Sequence, residues 1–159
     1  MKIKLSKPIP RNFSKLAPYI FGEWDVGLSA GSRLCAKVLL FENNHDLCRF
    51  WKESLGKSEL CKKTSAAVNA LQCHCISSTG KEYMECDPRY FCVMGFIRGR
   101  LGMEIITHES VHAGFAYAKR VKHKKWPNSL ECDEESVCYP AGRIASTINR
   151  AFRKEGIYQ

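Results

Sequence analysis

Apolar residues along this chain fall into short clusters whose spacing separates strands from helices. The run RLCAKVLLF at 33–41 is apolar almost throughout and bounded by Gly31-Ser32 and Asn43-Asn44, which predicts a mostly buried strand. Beyond it Leu47, Phe50, Trp51 and Leu55 recur at spacings of three and four, the pattern of a short helix that Asn44 caps and Gly56 ends. Residues 66–78 read as one further strand, Gly80 as a turn and 81–88 as a polar connection. At 90–97, Phe91, Val93 and Ile97 alternate with Cys92, Met94 and Phe96, so this strand is apolar on both faces and expected to be covered on both. Gly99 and Gly102 close it. A helix is predicted over 103–122, and a last one from Asp133 or Pro140 to Lys154, with Ala141, Ile144, Ala145, Ile148 and Phe152 as its core-facing stripe. The WPNS sequence at 126–129 reads as the loop between them. Residues 1–25, which include Pro8, Pro10 and Pro18, are expected to wrap the domain in extended form with one helical turn near Phe13 to Leu16.

Composition narrows the class. With 159 residues, 45% of them apolar and 26% charged, the chain has the size and balance of one globular domain spanning 1–159. No apolar run approaches the roughly 18 to 20 residues of a membrane helix. The amino-terminal MKIKLSKPIPRNFSKL is basic but lacks the apolar core of a signal peptide, so a cytoplasmic location is expected. Nine scattered cysteines, an odd number, are then expected to be reduced thiols. A formal charge of +9 favours acidic partners, whether nucleic acid, acidic protein or an anionic membrane surface.

Candidate chemistry concentrates in IITHESVHAG, where His108, Glu109 and His112 form a His-Glu-x-x-His pattern inside a predicted helix. Residues four apart share a helical face, so two imidazoles can address one tetrahedral zinc ion while Glu109 reaches a water beside it. Zinc lowers the pKa of bound water toward about 7, and the carboxylate can take the released proton and return it to a leaving amine. With five histidines in the chain, chance would produce this pattern in about one of a hundred such sequences. The uncharged neighbours Ile105, Ile106, Ser110, Val111 and Ala113 suit a helix running through a core. A catalytic zinc needs a third protein ligand, and Glu131, Asp133, Glu134 and Glu135 precede the last apolar stripe.

The region 101–152 resembles the Glu-zincins, zinc peptidases in which a second helix donates a Glu ligand some twenty or more residues after the His-Glu-x-x-His helix. Glu135-Ser136-x-x-Tyr139 looks like the Glu-Ala-x-x-aromatic start of that second helix in small ImmA-IrrE-like zincins, with Ser136 in place of Ala, and the region is also similar to small phage and plasmid zincin-like proteins built from a His-Glu-x-x-His helix and a Glu-Glu helix. The resemblance implies an α+β zincin-like domain with a small, mostly antiparallel sheet edged by the 90–97 strand and packed on the helix pair at 101–154. It implies a zinc-dependent metallopeptidase with Zn2+ on His108, His112 and Glu135, Glu134 being the other choice, and Glu109 as general base. The substrate would be a protein or peptide. Pro140 departs from the pattern: the last helix either kinks there or starts there.

Other signals compete. Cys73, His74 and Cys75 with Cys86 and Cys92 offer a structural metal site at an uncommon spacing, against the ordinary role of buried cysteine as a small hydrophobe. Lys119 to Lys125, with Arg143, Arg150, Arg153 and Lys154, make a basic surface that suits a helix end as well as phosphate contact. Tyr117, His123 and Tyr139 are candidates to hold an oxyanion. Gly114 points to close packing against a neighbouring element. The alternative function is therefore a basic protein, with structural zinc or none, that binds nucleic acid or an acidic host protein.

Overall fold

The structure, a computed structural model, describes residue 13 and residues 17–55, 64–122 and 134–157, with the backbone alone at 72–76, 82–85 and 122. It is an α+β fold of six strands and three α-helices among those residues: β1 (Ile20–Gly27), β2 (Cys35–Phe41), α1 (Asn44–Leu55), β3 (Ala66–Ala70), β4 (Gln72–Ile76), β5 (Glu82–Cys86), β6 (Tyr90–Ile97), α2 (Met103–Lys122) and α3 (Glu134–Lys154). One sheet has the order β1-β2-β6-β3, and β4 and β5 form a separate hairpin.

β6 is central rather than the expected edge. It runs parallel to β2 and antiparallel to β3, so the sheet is mixed, with its one parallel pair at the middle. All eight of its residues are buried because both faces are covered. Ala36, Val38, Leu40, Cys92, Met94 and Phe96 face the core shared with α2 and α3. Leu39, Phe41, Tyr90, Val93 and Ile97 face α1 through Leu47, Phe50 and Trp51. α1 lies so close that a Cβ on Gly95 would meet Leu47 Cδ1 at 2.5 Å and the Trp51 ring at 2.7 Å.

Three further expectations change. β1 begins at Ile20, inside the segment read as an extended wrap; nearer the terminus, Phe13 and Ala17 are buried and joined by one helical hydrogen bond, Ala17 N to the Phe13 carbonyl. The single strand read at 66–78 is two, broken at Leu71, whose N–H donates to Phe91 and whose carbonyl accepts from Asp87. The polar stretch after Gly80 is itself a strand, β5, and Gly80 at φ +78° makes the hairpin turn. α3 runs through Pro140, with Val137, Pro140, Ala141, Ile144, Ile148 and Phe152 buried along one stripe. The WPNS loop and His123 lie outside the described residues.

On the sheet face away from α1, α2 lies over β6 and β3 while α3 packs along α2 and reaches β1. The two helices are antiparallel, with Asn149 Nδ2 3.0 Å from Met103 Sδ at one end and Gly114 against Val137 and Ala141 further along. A Cβ on Gly114 would come within 2.6 Å of the Val137 carbonyl oxygen, so the close neighbour of this glycine is α3.

Candidate metal centre

α2 carries the histidine pair on its outer face. Ile106, Ser110, Ala113 and Gly114 turn inward and are buried, while His108, Val111, His112 and Phe115 are exposed on the opposite side. The four-residue spacing stacks the two imidazoles, and His108 Nε2 and His112 Nε2 stand 3.2 Å apart with the rings near perpendicular at 73°. Two nitrogens bound at 2.0–2.1 Å to a tetrahedral ion would be separated by about 3.3 Å. The contact is a hydrogen bond between the two imidazoles, and its length is also compatible with two nitrogens sharing one ion; both rings are exposed to solvent.

Glu109 is one residue round the helix toward the sheet and partly buried. Burial pushes its carboxyl above the ordinary carboxylate range, and the nearby charges of His112 and His108 oppose that rise.

The acidic residues at the start of α3 lie elsewhere. Glu134 and Glu135 are exposed in its first turn, while Glu131 and Asp133 fall outside the described residues. On a helix of 3.6 residues per turn, His108 and His112 project roughly 120° and 160° round from Gly114, the residue that touches α3. Glu135 therefore lies on the other flank of α2, lining a groove with Leu28, Tyr117, Val121, Tyr139 and Arg143. Among the described residues no three His, Cys, Asp or Glu side chains converge on one point. The structure thus brings His108 and His112 together, leaves Glu109 on the adjoining flank of the same helix near their charges, and does not bring Glu135 or Glu134 to the pair.

The remaining candidates separate as well. Tyr117 stacks edge-on against Phe91, 5.3 Å between centroids, and shares the groove with Tyr139, away from the histidines. Cys92 is wholly buried in the apolar core and Cys86 is partly exposed; both are free thiols, and the side chains of Cys73, His74 and Cys75 lie outside the described residues. The basic surface is divided. Arg120 turns inward to donate to the Asp87 carbonyl at 3.2 Å, Arg143 faces the groove, and Lys119, Arg150, Arg153 and Lys154 are exposed. No helix among the described residues is long and apolar enough to cross a membrane.

Val111, expected with its uncharged neighbours to suit a helix through the core, is instead exposed, and with Phe115 it forms an apolar stripe on the face of the histidines that the sequence pattern did not anticipate. Comparison with protein-family models, curated proteins and solved structures finds no match to this chain.

Proposed function

We propose that the protein is a zinc-dependent hydrolase acting on a peptide bond, with His108 and His112 holding the ion and Glu109 as general base. The observation that carries this reading is the 3.2 Å separation of the two Nε2 atoms, the bite of a tetrahedral zinc pair on a solvent-facing helix. Zinc, when bound, lowers the pKa of its water toward about 7 and polarises a carbonyl oxygen. Glu109 would hold the proton lost by an attacking water and deliver it to the leaving amine, and the burial that raises its carboxyl above the ordinary range favours that protonated state. Glu135, expected as third ligand from the Glu-zincin resemblance, does not stand at the pair, so the proposal rests on His108, His112 and Glu109.

The test is metal content by elemental mass spectrometry together with peptide hydrolysis. Wild type should hold about one equivalent of zinc, His112→Ala should lose it, and Glu109→Gln should keep the metal but lose hydrolysis. The lack of a converged third ligand among the described residues favours a second reading, a basic binding protein with zinc structural or absent. Protein that takes up no zinc even after add-back would overturn the first reading and favour the second.

A further inference from the structure

The groove between the end of α2 and the start of α3 holds two opposite charges that nothing among the described residues neutralises. The Arg143 guanidinium lies over Tyr139, 5.7 Å from the ring centroid and 3.5 Å from its hydroxyl, and Glu135 lines the same groove. Neither is in an ion pair among the described residues. Eight residues apart on one helix, they are separated by about 12 Å of axis and do not reach each other. Between them the wall is mostly apolar, with Leu28, Tyr117, Val121 and Tyr139 along an open groove of about 610 Å³ that Ser29 and Ser136 also line. That volume lies within the roughly 300–1,000 Å³ of small-molecule sites. Val121 and Tyr139, 55% and 63% exposed, present apolar surface that a ligand would cover.

We propose that this groove binds a short peptide by its two free ends, the ammonium at Glu135 and the carboxylate at Arg143. Both charges are exposed and hydrated, so the groove tolerates other ligands, but a zwitterion is the ligand that can pair with both at once. The guanidinium fork matches a terminal carboxylate in two parallel hydrogen bonds, and an ammonium offers three donors to a carboxylate. An extended peptide advances about 3.3–3.6 Å per residue, so three or four residues span the separation, with apolar side chains against Tyr117 and Val121. The site lies on the flank of α2 away from His108 and His112, so the inference does not rest on the metal reading.

Calorimetric titration of the metal-free protein, in EDTA, with the tetrapeptide Ala-Leu-Leu-Ala tests it. Acetylating the amino end or amidating the carboxyl end should each weaken binding about tenfold. Glu135→Gln should abolish the effect of acetylation only, and Arg143→Gln the effect of amidation only; both residues are exposed, and an unchanged thermal midpoint checks each fold. Absence of saturable binding up to about 10 mM, or equal affinity for free and capped peptides, would overturn the proposal. Binding that requires added zinc and disappears in His112→Ala would also overturn it, by placing the peptide at the histidines.

Discussion

Gly114 of α2 and Val137 of α3 stand so close that a Cβ on the glycine would lie 2.6 Å from the valine's carbonyl oxygen. Backbone on both sides leaves no flexible group to yield. Gly114→Ala should therefore lose more by separating the helices, about 1–3 kcal/mol, than the ~1 kcal/mol it gains in helix propensity. Gly142, on the exposed side of α3, has nothing within 4 Å of a Cβ, so Gly142→Ala should stabilise by about 0.5–1 kcal/mol. Urea midpoints of the two variants should move in opposite directions; a shared upward shift would contradict the close crossing.

The same contact separates what was legible in the sequence from what was not. α1, α2 and β6 were readable because a single period and sharp punctuation coincide with burial, as in Leu47, Phe50 and Trp51 against Gly95. β1 was not, although Glu23 and Asp25 alternate with Trp24 and Val26 as in a half-buried strand, because that alternation is short and Gly22 interrupts its apolar side in a segment that also holds Pro18. The break at Leu71 depends on hydrogen bonds to Phe91 and Asp87, which adjacent residues cannot announce. α3 survives Pro140 because Val137, Ala141, Ile144, Ile148 and Phe152 bury one continuous stripe, and that burial outweighs the ~3 kcal/mol a helical proline costs. At the site, the four-residue spacing was enough to place His108 beside His112. The flank taken by α3 was not legible, since it follows from Gly114 and not from any feature of the acidic cluster.

Lys37 is almost wholly buried on the α1 side of the sheet, 3.0 Å from Asp25 and 3.6 Å from Glu23, and the Tyr90 hydroxyl donates to the same Asp25 carboxylate. Removing the cation would leave two carboxylates facing each other at the mouth of the core. Lys37→Met should destabilise by about 1–3 kcal/mol, less than for a fully buried pair because the Asp25 side chain is 46% exposed. Denaturant unfolding checks the value, and an unchanged midpoint would show that the ion pairs contribute nothing.

Cysteine reactivity should follow burial. The Cys92 thiol is fully buried and burial pushes its pKa far up, so the nucleophilic thiolate is suppressed, whereas Cys138 is exposed on α3. Brief treatment of the native protein with iodoacetamide, read by peptide mass spectrometry, should modify Cys138 and spare Cys92 until denaturant is added. Native modification of Cys92 at the rate of Cys138 would mean that the core under α2 opens readily.

Zinc should stabilise the fold through the histidine pair alone. A ligand present at a hundred times its Kd adds about 2.7 kcal/mol, which for a chain of this length raises the thermal midpoint by about 5–10 °C. Wild type and Glu109→Gln should show that rise on zinc addition and its reversal by EDTA, and His108→Ala and His112→Ala should show neither. Glu135→Gln is the informative variant. With Glu135 on the far flank of α2, it should keep the full shift. Loss of the shift in that variant would require α3 to turn its first residues toward the histidines, and so to leave the Gly114–Val137 contact that now fixes the two helices.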